Sequence, residues 1–223
     1  MVTSRSVSLF PIPIGLYNFG EENHQLNLDL VNDILTESKE DVGGDQRSNL
    51  GGWHSNNNLE SRYKSFSSLR KQIEECINDY CVKNGYESGL ICGGLWANIN
   101  ETGDMNVPHH HGTAALTGCY YPCDAIVDGN IDFNYTDKTP LYTSGWNGKD
   151  GGCLVLQDPC FGLKTRLKKT SIPTGYTIDH YHMYPTAGVL AVFPSYIIHS
   201  VIPFRENKRR LSISFDSKYE KSG

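Results

Sequence analysis

The sequence predicts a mainly β protein of the α+β class, with a jelly-roll or double-stranded β-helix core buttressed by N-terminal helices. Three observations carry this. Helical periodicity is confined to a supporting region over about residues 20–88. From Gly89 onward short apolar runs alternate with turn residues, which gives a β core over about residues 89–219. No internal repeat divides the 223 residues, so one domain over 1–223 is the simplest organisation.

The first 20 residues read as a leading strand, with alternation in Val7-Ser8-Leu9-Phe10-Pro11-Ile12. Gln25 to Ser38 reads as an amphipathic helix whose apolar side is Leu26, Leu28, Leu30, Val31, Ile34 and Leu35. Glu40 to Asn58, rich in Gly, Asn, Ser and Asp, reads as a loop. Leu59 to Asn84 is the clearest helix: Phe66, Leu69, Ile73, Cys76, Ile77, Tyr80 and Cys81 recur at helical steps, and Asn84-Gly85 ends it. The strand candidates are Leu95–Ile99, Ala115–Tyr121, Asp128–Phe133, Gly152–Leu156, Gly188–Phe193 and Leu211–Phe215. Asn134 to Lys149 and Cys160 to Pro185 exceed ordinary hairpin loops and read as lids or binding loops. Their aromatics include Tyr135, Tyr142, Trp146, Phe161, Tyr176 and Tyr181.

Composition narrows the function classes. The net charge is −5 and the one basic cluster, Lys208-Arg209-Arg210, is short, so phosphate-driven nucleic-acid binding is not expected. No apolar stretch reaches the roughly 18 residues needed to span a bilayer, and MVTSRSVSLFPIPIG makes a poor signal peptide. Seven cysteines is an odd number, as expected for free thiols in a reducing, cytoplasmic compartment. Cys119-x3-Cys123 has zinc-like spacing, but no second pair supports it, and small core residues at a turn are the simpler reading.

The chemistry-bearing pattern is His109-x-His111 with a distant His199. Residues i and i+2 of an extended chain point the same way, so the pair can grip one metal ion. A third ligand then closes one face of an octahedron, the geometry of a non-haem iron site for oxygen chemistry. His199 lies in an apolar segment, Ile197 to Ile202, where a buried imidazole needs a partner. His180-x-His182 has the same spacing but sits in a polar stretch with no apolar strand directly behind it, and reads as polar loop residues near a substrate. His24 and His54 have no ligand context. Arg210 follows His199 by eleven residues and is in phase with Ser212, while Leu211, Ile213 and Phe215 face the other way. An arginine pointing into a barrel is costly unless it meets an anion, and a small dicarboxylate beside the metal would supply one.

These residues resemble the 2-oxoglutarate and Fe(II)-dependent oxygenase superfamily, and more closely a largely uncharacterised oxygenase family of bacteria and phages. The resembling segments are Gly52-Trp53-His54-Ser55-Asn56-Asn57-Asn58-Leu59, Trp96-Ala97-Asn98-Ile99-Asn100, His109-x-His111 and Leu116-Thr117-Gly118-Cys119-Tyr120-Tyr121. They continue with Gln157-Asp158-Pro159 and with Phe193-Pro194-Ser195 through Phe215. The resemblance implies Fe(II) held by His109, His111 and His199 in the mouth of a double-stranded β-helix. It also implies that Arg210 binds the distal carboxylate of 2-oxoglutarate, with Ser212 assisting. Asn98 and either Tyr120 or Tyr121 would line the same pocket. The implied reaction hydroxylates a C–H bond with O2 and releases succinate and carbon dioxide, on an unidentified small-molecule or peptide substrate. The superfamily usually carries Asp or Glu at the position of His111. The iron would therefore have three imidazoles, or a carboxylate from Asp104 or Asp158.

Two other readings share the fold. One is a three-histidine, cupin-type oxygenase that works without 2-oxoglutarate. The other is a non-catalytic jelly-roll binding or virion structural module. Arg210 separates them from the first, because a bare metal site has no need of a buried guanidinium.

Overall fold

The computed structural model describes residues 12–135, 151–159 and 180–219. Two antiparallel sheets face each other, as the jelly-roll expectation requires, and a helical layer covers the outer face of the larger one. Strands β1 (Gly15–Asn18), β3 (Trp53–His54), β4 (Leu90–Asn100), β6 (Leu116–Tyr121), β11 (Val189–Pro194) and β13 (Arg210–Tyr219) build the six-stranded sheet in the order β1-β11-β6-β13-β4-β3. Strands β2 (Asn49–Leu50), β5 (Met105–His109), β9 (Leu154–Gln157), β10 (His180–Met183) and β12 (His199–Val201) form the five-stranded sheet in the order β10-β9-β12-β5-β2. A small hairpin of β7 (Ala125–Val127) and β8 (Asn130–Asp132) stands apart. No helix among the described residues is long and apolar enough to cross a membrane.

The helical layer follows its apolar periodicity. Helix α1 (His24–Glu40) buries Leu30, Val31 and Ile34. Helix α3 (Lys64–Lys83) buries Phe66, Leu69, Ile73 and Ile77 and packs on β4 and β11. Each such side chain contributes about 1.5–3 kcal/mol relative to leaving it in water. The continuous helix expected from Leu59 is broken. A short α2 (Leu59–Arg62) ends at Tyr63, whose backbone is extended (φ −123°, ψ 126°). There the Tyr63 hydroxyl donates to Glu37, which is buried, at 2.8 Å, and Arg62 pairs with the same carboxylate. Satisfying a buried carboxylate outweighs one uninterrupted turn of helix, and apolar spacing carries no sign of it.

The loop expected over 40–58 also contains structure. Its two short strands pair with the edges of opposite sheets, β2 with β5 and β3 with β4. Gly51 and Gly52 between them sit at φ +72° and +69°, a conformation that side chains resist. The segment thus crosses from one sheet to the other and brings Arg47, Ser48, His54 and Asn57 to the cavity between them. The leading strand is β1, whereas Val7 to Pro11 lie outside the described residues, as do Tyr142, Trp146, Cys160, Phe161 and Tyr176.

Alternation along three neighbouring strands separates core from site. On β13, Leu211, Ile213 and Phe215 face the helices, and Arg210, Ser212, Ser214 and Asp216 face the cavity. On β4, Leu95, Ala97 and Ile99 face the helices, and Trp96 and Asn98 face the cavity. On β6, Leu116 and Tyr120 join the helix-side core, and Cys119 and Tyr121 the core between the sheets.

Candidate metal centre

His109 and His199 are direct partners across the antiparallel pair β5–β12, with ring centroids 4.3 Å apart. His111 follows two residues on, just past the end of β5, and its ring lies 5.1 Å from that of His199. The ligand nitrogens of the three histidines lie within 4.8 Å of one another, and no other described group of three or more His, Cys, Asp or Glu could hold a metal. The turn bearing His111 is clamped in place. Its N–H donates to Ser195 O (3.0 Å), the Ser195 hydroxyl donates to Ala114 O (2.6 Å), and Ala115 N–H donates to Ser217 O (3.1 Å). Ser195, from the Phe193-Pro194-Ser195 segment of the resemblance, therefore holds the turn that carries His111.

Each imidazole is fixed through Nδ1. His109 donates to Val107 O (2.7 Å), His199 to Ile197 O (2.9 Å), and His111 to Asp216 Oδ1 (2.7 Å). These acceptors select the Nδ1–H tautomer and leave the Nε2 lone pairs free for a metal. Nε2 of His111 is buried and has no hydrogen-bond partner among the described residues. Such a nitrogen needs a partner, and a metal ion shared with His109 and His199 fits it. Burial, reinforced by the neighbouring imidazoles, lowers the pKa of His199 to about 3 and also lowers that of His109. Both are neutral at pH 7, the form that binds metal.

The three histidines open onto a cavity of about 330 Å³ that also contains Arg210, Ser212, Asn98 and Asp216. Arg210 is 2% exposed. Its Nε donates to Gly152 O (2.7 Å), Nη1 to Asn100 Oδ1 (3.2 Å) and Ser212 Oγ (2.9 Å), and Nη2 to Tyr121 Oη (3.2 Å). A guanidinium has five N–H groups, so one remains for a ligand. No carboxylate among the described residues pairs with it, although its neighbour Arg209 is exposed and pairs with Glu101. In the basic cluster Lys208 pairs with Glu206 and Arg209 with Glu101, and Arg210 alone of the three is buried in the site.

Several expected residues fall elsewhere. Tyr120 is not in the cavity. It faces the helices, donating to Asn27 Oδ1 (2.6 Å) and accepting from Asn23 Nδ2 (3.2 Å). The period of two that sends Tyr121 inward sends Tyr120 outward. Tyr120→Phe should therefore cost about 1–3 kcal/mol, because a buried acceptor loses its donor, and should leave 2-oxoglutarate affinity unchanged. Thermal melts and a ligand titration check both halves. Asp104 caps the β4–β5 turn, accepting from Glu101 N–H (2.7 Å), and neither it nor Asp158 joins the histidine cluster. His180 and His182 lie on β10, paired with β9, rather than in a loop, and they too stay outside the cluster. Cys119 and Cys123 are buried free thiols, as are Cys76, Cys81 and Cys92. Asn98 lines the cavity opposite Ser212, in register with it on β4.

Sequence reasoning missed Asp216, His54 and Trp96. Trp96 stacks on His111 (5.8 Å, 16°) and on His54 (5.8 Å, 17°). Burial lowers the pKa of His54, whose Nδ1 donates to Ser55 O (2.7 Å). Alternation from Arg210 through Ser212 and Ser214 would have pointed to Asp216.

A double-stranded β-helix with three converging imidazoles and a buried, anion-ready arginine in one cavity defines the class of non-haem metal oxygenases. The sequence profile of the family described as Putative 2OG-Fe(II) oxygenase matches residues 94–216, more than half of the chain. The chain belongs to this family and is an Fe(II)- and 2-oxoglutarate-dependent oxidoreductase. Among solved structures it is similar to a prolyl-4-hydroxylase from Pseudomonas putida (TM-score 0.61, 14% identity, 94% of each chain covered). It is also similar to a viral collagen prolyl hydroxylase from Paramecium Bursaria Chlorella virus-1 in its 2-oxoglutarate complex (TM-score 0.53, 12% identity, 92% of this chain and 95% of that one). HygX from Streptomyces hygroscopicus, with nickel and 2-oxoglutarate bound, is a third (TM-score 0.56, 8% identity, 95% and 84%). These likenesses show the shared fold. Comparison with curated protein sequences returns no match.

Proposed function

We propose that His109, His111 and His199 hold Fe(II) and that Arg210 anchors 2-oxoglutarate beside it, so that the chain works as a hydroxylating dioxygenase. The single observation that carries this is a buried guanidinium without a carboxylate partner among the described residues, in the same cavity as three imidazoles. When bound, Fe(II) and 2-oxoglutarate supply the oxidising power that converts a C–H bond and O2 to an alcohol, with succinate and carbon dioxide as coproducts.

The chain's own residues supply binding, orientation and dryness. The backbone carbonyls of Val107 and Ile197 aim two imidazoles, and Asp216 aims the third. Asn100, Ser212, Gly152 and Tyr121 hold the guanidinium plane, leaving its free N–H for the distal carboxylate of the cosubstrate. Leu154, Phe193 and Val201 make the wall apolar and exclude water. Asn98 holds the polar side of the pocket through Ser214 Oγ (3.4 Å). A peptide or small polar substrate would meet His54, Asn57 and Trp96, and the helical layer and β core act as one unit in positioning that wall. The free cysteines support a reducing, cytoplasmic setting. A three-histidine oxygenase without 2-oxoglutarate would leave Arg210 without a role.

Anaerobic titration with Fe(II) and 2-oxoglutarate tests the reading. The wild-type chain should develop a weak visible metal-to-ligand charge-transfer band only when both are present, and His199→Ala should not. Admitting O2 should then release succinate. A wild-type chain that gives neither band nor succinate overturns it.

A further inference from the structure

We infer that Asp216 is a positioning residue for the metal centre: its carboxylate fixes His111 and offsets, from one bond beyond the ligand, the charge of a dication held by three neutral imidazoles. The inference rests on the reading of His109, His111 and His199 as metal ligands.

A divalent ion bound by neutral ligands keeps its full charge, which is costly in a partly buried site. Among the described residues Asp216 is the one acidic residue lining the cavity, and its Oδ1 lies 2.7 Å from His111 Nδ1. Among the described residues it has no Lys or Arg partner, and His111 is its only ion pair. Its cross-strand neighbours, Gly94 on β4 and Thr117 on β6, are uncharged. Arg210 does not compete for it. The two residues share the inward face of β13 but are six positions apart, about 20 Å of extended strand.

A purely mechanical role fits less well. The turn carrying His111 is already tied down by the bonds to Ser195 and Ser217, and the imidazole plane is already held by Trp96. What those contacts do not provide is a negative acceptor on Nδ1–H. Such a carboxylate–histidine–metal arrangement raises the donor strength of the imidazole. One strand thereby delivers a cation at one end for the cosubstrate and an anion at the other for the metal.

Asp216→Asn separates charge from shape, since the amide oxygen can still accept from His111. Binding of Co(II) alone to the full chain is measured by calorimetry, with no cosubstrate. Asp216→Asn should bind about 10- to 100-fold more weakly than wild type, and Asp216→Glu should recover part of the loss. Melting of the metal-free Asp216→Asn chain should stay within about 2 °C of wild type, because a partly exposed carboxylate adds little to stability. The His111 Nδ1–H proton resonance of the Zn(II)-loaded chain should move upfield in Asp216→Asn. If Asp216→Asn binds Co(II) as tightly as wild type while His199→Ala does not bind, Asp216 is a fastener and the inference falls alone. If His199→Ala binds as tightly as wild type, the metal reading falls and takes the inference with it.

Discussion

Replacing Arg210 with methionine is expected to weaken 2-oxoglutarate binding by two to three orders of magnitude, about 3–4 kcal/mol, and to leave metal affinity within a few-fold of wild type. Methionine keeps the packing of the stem and removes only the charged fork. The size of the effect follows from burial: the guanidinium is 2% exposed, so its attraction for a carboxylate is little screened by water. Arg210→Lys should fall between the two, because an ammonium keeps the charge but loses the planar fork that Asn100, Ser212, Gly152 and Tyr121 orient. The metal-free protein should melt close to wild type. Removing a buried cation relieves a desolvation cost, while Gly152 O and Asn100 Oδ1 lose a donor, and the two effects oppose each other. The charge-transfer band, followed against 2-oxoglutarate concentration at fixed Fe(II), reads the affinity. A change of less than threefold in Arg210→Met would mean that the cosubstrate is held by other groups, and the guanidinium would then need another explanation.

What the sequence revealed of this site depended on strand periodicity. His109 and His111 are local in the chain, and Arg210 and Ser212 share the two-residue step, so both pairs were legible without coordinates. His199 was legible because an imidazole among Ile197, Ile198 and Val201 needs a partner. That His199 lies directly across from His109 was not legible, since it depends on the β5–β12 register. Tyr121 packs in the core between the sheets and accepts from Arg210, whereas Tyr120 faces the helices; adjacent residues of a strand face opposite ways, and only the tertiary fold says which face is which. Asp216 is in phase with Arg210, Ser212 and Ser214, but that it stands behind His111 depends on a contact across 105 residues that local pattern does not record. The break at Tyr63 and the strands β2 and β3 escaped for the same reason. Each is set by contacts with distant residues, Glu37 in one case and the edges of β5 and β4 in the other, and local pattern does not record them.

The glycine in Leu116-Thr117-Gly118-Cys119-Tyr120-Tyr121 is expected to be the least replaceable residue of that segment. Gly118 lies on β6 between β11 and β13, opposite Val192 on one side and Phe215 on the other. A Cβ there would sit 2.1 Å from Ala191 O and 2.3 Å from Phe215 Cε1. The ring could rotate away, but the carbonyl oxygen belongs to the β11 backbone and moves only if the strand moves. The φ of Gly118 is not in the left-handed region, so alanine could adopt its backbone, and by unfolded-state entropy alone the substitution would stabilise by about 0.4–1 kcal/mol. The clash reverses that sign. Gly118→Ala should destabilise by about 3 kcal/mol or more, at the upper end for overpacking, or roughly 6–12 °C for a chain of this size. Phe215→Leu in the same chain should restore only part of the loss, because it clears the ring and not the carbonyl. The damage should also reach the site, since β13 carries Arg210, Ser212 and Asp216 on the face opposite Phe215. Co(II) affinity in the surviving folded fraction should therefore drop along with the melting temperature. A Gly118→Ala chain that melts within about 3 °C of wild type, less than 1 kcal/mol or so, would show that β6 and β11 can separate at no great cost, and that the glycine answers to something other than the approach of these two strands.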